Sequence, residues 1–475
     1  MNKMIKAYSM FLLSFGMILV NCSQQNNEPS AQGKVSFWLT LPDRSVTFEE
    51  QIPITLYSGG NEETPAIRID RETQYQEMDG FGYTITGGSA MLLHHMNPQE
   101  REKILSELFS TQGTGIGVSY LRVSIGASDL DEYVFSYNDS PPGGTDIDQE
   151  HFSIDPDREH LIPVLKEILA ISPEIKIMGS PWSAPAWMKT NSSPIGGSLK
   201  PEYHTSYALY FVKYIEAMQQ EGIPIDAITV QNEPLHPGNN PSMLMLSNQQ
   251  ADFVRNYLGP AFRVNDIKTR IIIYDHNADR IDYPISIMND TAARKFIDGS
   301  AFHLYAGSIE DLSEVHEAHP DKHLYFTEQW IGAPADFGGD LGWHIEHLII
   351  GASRNWCKTV LEWNLAADPN QEPHTDQGGC TRCLGALTID GDEIVRNPAY
   401  YIVAHASKFV RPGSVRIAST NTADNLPNVA FLTPEGTIVL VVLNTDSKRK
   451  TFKVKQGGKY FTGDLQGGAA GTYTW

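Results

Sequence analysis

The sequence predicts an α/β protein: a closed (β/α)8 barrel carrying an antiparallel β-sandwich built from both chain termini. Two patterns carry that expectation. Eight short apolar, β-prone runs recur through the middle of the chain, and amphipathic helical stretches fill most of the gaps. The segments at both ends instead alternate apolar and polar residues with period two, without a helical period. A third observation narrows the choice. No glycine-rich phosphate loop follows any of the eight runs, which weighs against an open doubly wound sheet.

The eight runs cover 80–84, 120–125, 175–180, 228–232, 271–275, 301–304, 324–327 and 359–363. Asn97 and Pro98 supply a cap and a first-turn proline ahead of a helix over 101–109. Further helices are expected over 159–171, 205–220, 248–257, 292–297, 309–318, 344–354 and 398–409. Strands alternating with helices favour a parallel barrel over 78–410, whose active site lies at the C-terminal strand ends. Strand-like alternation at 34–57, 68–75, 414–418, 429–432, 437–443 and 451–454 assigns 34–77 and 411–475 to the sandwich.

Ahead of these lies a targeting segment. Lys3 and Lys6 make a basic start, and Met10 to Val20 is an apolar run of 11 residues, short for a bilayer span. Cys22 follows in Leu19-Val20-Asn21-Cys22, which resembles a bacterial lipobox with Asn21 where a small residue is usual. Residues 1–22 therefore read as a lipoprotein-type signal peptide with lipid attached at Cys22, plain signal cleavage or an uncleaved anchor being the alternatives. Residues 23–33, rich in Gln, Asn and Ser, read as a tether. The expected destination is export, as an outer-membrane lipoprotein or to the periplasm.

Composition limits the partners. The 475 residues include 36 basic and 57 acidic side chains, a net charge of −21. Such a charge repels nucleic acid and anionic lipid, whereas a neutral polymer is indifferent to it. Membrane contact is expected only through the lipid. The 8 Trp, 20 Tyr and 19 Phe include flat faces on which sugars can stack, although most serve ordinary packing. Three cysteines follow the signal: Cys357, Cys380 and Cys383. A Cys380–Cys383 disulfide and a pairing through Cys357 are both open. His374 beside the C-x-x-C pair raises a zinc loop, but the second pair that such a site needs is missing, and no metal or cofactor is expected.

Two strings point to the chemistry. Ile228-Thr229-Val230-Gln231-Asn232-Glu233-Pro234 and Leu324-Tyr325-Phe326-Thr327-Glu328-Gln329-Trp330 are each a β-prone run ending in a glutamate. Counting the runs puts Glu233 at the end of the fourth strand and Glu328 at the end of the seventh. Barrel closure brings those two ends to one mouth. Two carboxyls flanking one bond are the equipment of glycoside hydrolysis, with one as acid and the other as base or nucleophile.

Several motifs carry a family resemblance. They are Gly80-Phe81-Gly82, Leu121-Arg122-Val123, Ser180-Pro181-Trp182-Ser183-Ala184-Pro185-Ala186-Trp187-Met188-Lys189, Gln231-Asn232-Glu233-Pro234, His303-Leu304-Tyr305, Thr327-Glu328, Glu362-Trp363-Asn364-Leu365 and Phe409-Val410-Arg411-Pro412-Gly413-Ser414. In that order, from about residue 75 to the C-terminus, they resemble glycoside hydrolase family 30, which holds β-glucosylceramidases and endo-β-1,6-glucanases. The resemblance implies a barrel with a side sandwich, Glu233 as acid/base and Glu328 as nucleophile of a retaining enzyme.

Around that pair, Arg122 at the end of strand 2 is the expected partner of Glu328, and Asn232 is placed to hold the sugar 2-hydroxyl. Asp129 resembles the family aspartate that binds glucose hydroxyls. Trp182 and Trp363, after strands 3 and 8, offer indole faces to a pyranose, and Tyr305 is expected to hydrogen-bond the nucleophile. His236 and Trp330 are candidates for the leaving-group side of the cleft, whereas His303 and Asp275 read as structural. The loop 368–384 is expected to form one wall, and its stretch from Gly378 to Gly385 resembles the β-1,6-glucanase branch. The favoured substrate is a neutral β-1,6-glucan cut internally. An exo-acting β-glucosidase, β-xylosidase-like or glucosylceramidase-like enzyme follows, and a non-catalytic glycan-binding lipoprotein is the reading of another class.

Overall fold

The computed structural model describes residues 30–58, 66–420 and 425–475. The signal segment and Cys22 lie outside the described residues, as does most of the expected tether. Its last residues are strand instead, since a strand begins at Ser30 and runs to Thr40.

Eight parallel strands close into one barrel, paired in chain order with the last against the first. They are β1 (Gly80–Ile85), β2 (Tyr120–Ser124), β3 (Lys176–Ser180), β4 (Ala227–Thr229), β5 (Arg270–Asn277), β6 (Ile297–His303), β7 (His323–Glu328) and β8 (Cys357–Asn364). Tyr120, Met178, Ala227, Ile272, Ala301, Tyr325 and Leu361, one from each of β2 to β8, form a buried cluster of their own. Arg122 is two residues beyond Tyr120 and so points the same way, one layer nearer the C-terminal mouth. At the opposite end Asp79 is held by Lys176 at 2.7 Å, Arg270 at 3.0 Å and Lys358 at 3.4 Å. The Asp79 charge at the bottom is therefore compensated there, away from the site at the top.

The helices follow the apolar periodicity with shifted ends. Asn97 caps the helix Pro98–Phe109 by accepting from the Gln99 amide. Two differences stand out in this layer. The strand β6 begins at Ile297, four residues earlier than expected, and the preceding helix is only Thr291–Arg294 rather than 292–297. The helix Gly87–His95 has no counterpart in the sequence expectation, because it opens on two glycines. Those glycines allow close approach: a Cβ on Gly87 would strike the Asp131 carboxyl, and one on Gly88 would strike Pro373 and the Leu130 carbonyl.

The terminal segments form one ten-stranded sheet folded over its own core of Val35, Phe37, Leu440, Val442, Phe461 and Tyr473. It is antiparallel except for one pairing: the strand Ala66–Glu77 runs parallel to Lys450–Gln456. Two of its strands, Lys459–Leu465 and Ala470–Thr474, were not expected from the sequence. Their glycines, Gly463 and Gly471, dilute the alternation, and each lies against an aromatic ring, Phe452 and Phe37 respectively. The sandwich docks on the last helix, Pro398–Ser407, where the buried His405 bridges Thr40 and Thr472, each at 2.9 Å.

Candidate active site

Glu328 is the last residue of β7. Glu233 is not at the end of its strand, because β4 stops at Thr229. The chain leaves β4 early, ties the Asn232 amide to the Pro181 carbonyl at 2.8 Å and the Glu233 amide to the Asp275 carbonyl at 2.9 Å. Glu233 then takes a φ of 43°, a left-handed conformation uncommon for a side-chain-bearing residue and typical of strained sites. The strands beside β4 thus dictate where this carboxyl sits.

Arg122 organises the second carboxyl. It is wholly buried and donates from Nη1 to Glu328 at 2.6 Å, from Nη2 to Asn232 at 2.6 Å and Asp275 at 2.8 Å, and from Nε to Ser180 at 3.0 Å. Its guanidinium lies over the Trp182 ring at 4.9 Å. The other Glu328 oxygen accepts from the Tyr305 hydroxyl at 3.0 Å. Asp275, fully buried, also accepts from Thr229 at 2.7 Å and Thr327 at 2.6 Å.

His303, from the end of β6, stands between the carboxyls. Its Nδ1 is 3.3 Å from Glu233 and 3.7 Å from Glu328, and its Nε2 is 3.1 Å from Asp275. Burial works against a charged ring, but Glu328, Asp275 and Glu233 outweigh it and raise His303 to about 10. Burial likewise raises Glu233, yet the His276 and His303 imidazoles prevail and hold it well below the usual carboxylate range. Glu328 is raised from its ordinary value, by burial first and also by Glu233, against the pull of His303 and Arg122. Glu233 and His303 thus stabilise one another's charged forms across 3.3 Å.

These groups open into a cleft of about 530 Å³. Asp129, Trp182, Glu233, His236, Tyr305, Glu328, Trp330 and Trp363 all line it, whereas Arg122 and Asn232 stand behind the lining. Trp182 and Trp363 lie 5.4 Å apart, tilted by 32°. Burial first, and then Glu328 and Glu233, push Asp129 up to about 8, and its Oδ1 is buried without a hydrogen-bond partner. Such a group has its hydrogen bonding unspent and directed at the cleft.

The loop after β8 supplies a wall. Cys380 and Cys383 form a disulfide that lines the cleft beside Trp330, and Cys357 is a free, buried thiol at the start of β8. With both sulfurs joined, this pair offers no thiolates to zinc. The loop is fastened to three others. Thr375 bonds the Asp129 and Asn240 carbonyls, the Ala333 amide bonds the Arg382 carbonyl at 2.8 Å, and the Leu384 amide bonds the Ile331 carbonyl at 3.0 Å.

Two matches then decide the kinship. The family model for the "Glycosyl hydrolase family 30 TIM-barrel domain" matches residues 78–410, and that for the family's beta sandwich domain matches residues 413–473. The chain belongs to glycoside hydrolase family 30.

This family 30 protein is a glycosidase, and its relatives bracket it. It is 31% identical to an endo-1,6-beta-D-glucanase of Aspergillus fumigatus over 430 residues, 84% of this chain and 86% of that one. It is 28% identical to the lysosomal acid glucosylceramidase of Mus musculus, over 86% of this chain and 83% of that one. A solved endo-beta-1,6-glucanase structure superposes with a TM-score of 0.87 at 37% identity, covering 94% of this chain and 99% of that chain.

Within the family 30 site, reading the sequence placed three residues wrongly or not at all. His303 is no mere support, since it touches both glutamates. His276 was missed, although it sits near the C-terminal end of β5 with Nδ1 3.5 Å from Glu233. Asn239, which donates to the other Glu233 oxygen at 3.3 Å, was missed too. The rule that residues at barrel-strand ends face the site would have found His276. Nothing local marks Asn239.

Proposed function

We propose that this protein is a retaining endo-β-1,6-glucanase, with Glu328 as nucleophile and Glu233 as acid/base. The observation that carries the chemistry is His303 Nδ1, within 3.7 Å of both carboxyls. One ring nitrogen reaching two carboxyls keeps them close, as the ~5–5.5 Å separation of retaining enzymes requires. Arg122 and Tyr305 each donate to one Glu328 oxygen, which opposes the rise that burial and Glu233 impose and so supports the ionised, nucleophilic form. Glu328 attacks the anomeric carbon as the bond to the leaving oxygen breaks, and that oxygen takes a proton from Glu233. Water then attacks the glycosyl–Glu328 ester, with Glu233 removing its proton. Asn232, fixed by Arg122, is positioned for the sugar 2-hydroxyl. Asp129 and the tryptophan pair hold the sugar ring whose glycosidic bond is cleaved.

The linkage rests on likeness: the endo-1,6-beta-D-glucanases among the relatives, and the solved enzyme at 37% identity. The cleft wall from the β8 loop supports it. An exo-acting, glucosylceramidase-like enzyme is the second reading, favoured by relatives of that name at 27–30% identity. Assays on pustulan, laminarin, xylan and an aryl β-glucoside separate the two. The expected result is rapid release of mixed oligosaccharides from pustulan, with the β-anomer formed first by NMR. Glucose as sole product, or turnover of the aryl glucoside alone, would favour the exo enzyme. Initial inversion would rule out Glu328 as nucleophile, and binding without turnover of any of the four would favour a lectin-like role. Glu233→Gln should lose about 10²–10⁴-fold on pustulan but far less on an aryl glucoside, whose leaving group needs no acid.

A further inference from the structure

Glycoside hydrolysis accounts for Glu233 and for His303 beside it, but not for His276. The His276 ring is 7% exposed, and its Nδ1 is buried with no hydrogen-bond partner. That nitrogen points at Glu233 Oε1 from 3.5 Å, while His303 Nδ1 approaches the same oxygen from 3.3 Å. The three ligand-type atoms lie within 4.8 Å of one another. Tetrahedral Zn²⁺, with bonds of about 2.0–2.1 Å to nitrogen and oxygen, sets neighbouring ligand atoms about 3.3 Å apart. Two of the three spacings therefore already match a zinc coordination sphere.

The surroundings fit as well. His303 Nε2 faces Asp275 at 3.1 Å, the carboxylate–histidine contact that orients a metal-binding imidazole and leaves its other nitrogen free to ligate. Asn239 holds Glu233 Oε2 at 3.3 Å, which turns Oε1 toward the rings. Glu233 and His276 line the cleft and the buried His303 stands behind them, so two imidazoles and one carboxylate supply the donor set of a three-ligand zinc site. Among the described residues no other group of three such side chains comes together.

We propose that Glu233, His276 and His303 form a binding site for a divalent transition-metal ion, Zn²⁺ in the first instance, and that the ion reversibly inhibits the enzyme. An ion held on Glu233 Oε1 ties up the carboxyl that the first step needs free beside the leaving oxygen. The proposal is independent of which linkage is cleaved, since it concerns only the three side chains.

Calorimetric titration of the full-length protein with Zn²⁺ tests it, with Co²⁺ as an optical probe. One tight Zn²⁺ per chain is expected, and bound Co²⁺ should give the intense visible absorption of four- or five-coordinate metal. Pustulan oligosaccharide should compete for binding, and EDTA should restore turnover of the inhibited enzyme. His276→Gln and Glu233→Gln should each weaken Zn²⁺ binding by at least about 10-fold. His94→Gln should leave it unchanged, although His94 and His160 approach to 2.9 Å elsewhere on the barrel. No binding to the wild-type protein would overturn the proposal. So would binding that survives both site variants, or that is lost with His94. Failure of the metal site would leave the glucanase reading intact, because that reading is tested on product pattern and anomer.

Discussion

Arg122 and Asp275 hold opposite charges in the upper barrel with neither side chain exposed. Removing one partner of a buried, hydrogen-bonded pair leaves the other uncompensated and typically costs about 3–5 kcal/mol. Asp275→Asn is therefore expected to lower the unfolding free energy by about that amount in urea, and a loss under 1 kcal/mol would show the pair to be replaceable. His303 makes a pH prediction. Its folded pKa of about 10 lies above the ordinary value of about 6.5. The charged ring thus stabilises the fold fully below about pH 6.5, and the contribution is lost as pH rises toward 10. Lys189, lowered to about 7 by burial, acts in the opposite sense across the alkaline range. The informative measurement is therefore a difference: the stability gap between wild type and His303→Gln should narrow from pH 7 to 10. A constant gap would mean that the ring is neutral at pH 7. At this scale the glutamates were legible, because each ends a local apolar run. His303 was misjudged, because its partners lie 70, 28 and 25 residues away in sequence, and only barrel closure gathers them.

The β8 loop is the element on which cleft shape depends. Its disulfide joins residues three apart, so the chain entropy that it removes from the unfolded state is small, about 2 kcal/mol by the loop-length relation. Its effect should instead be local. Leu130, Trp182, Trp363 and Cys383 form a small buried cluster, with Trp330 and Cys380 packed against it. Replacing both cysteines with serine is expected to cost no more than about 2 kcal/mol in global stability while raising KM for pustulan several-fold. A large stability loss with KM unchanged would make the bridge purely structural. The sequence marked this loop by its length and cysteines but left the pairing open. The geometry resolves it, since Cys357 is buried at the start of β8 and makes no disulfide. Element boundaries were less legible than element types. The ends of β4 and β6 are set by hydrogen bonds to neighbouring strands, which no periodicity within one run reports.

For the molecule as a whole, the sandwich and barrel are joined through polar groups as well as apolar ones. His405 hydrogen-bonds Thr40 from the first described strand and Thr472 from the last, and burial lowers it to about 3. A neutral ring in the fold and an ordinary one in the unfolded chain give stability that is present above about pH 6.5 and lost as pH falls toward 3. Wild type should therefore lose more stability between pH 6.5 and 4 than His405→Gln does, measured by urea unfolding at each pH. Equal losses would place the acid sensitivity elsewhere. Legible in the sequence were the (β/α)8 barrel, the sandwich drawn from both termini, and two glutamates, one following strand 4 and one ending strand 7. Period, strand count and strand-end residues are properties of consecutive residues, and they survive without coordinates. Only the tertiary structure decided which imidazoles flank Glu233, what holds Glu328, and how the β8 loop walls the cleft. Those depend on burial and on distances between residues far apart in the chain, and such distances exist only once the barrel has closed.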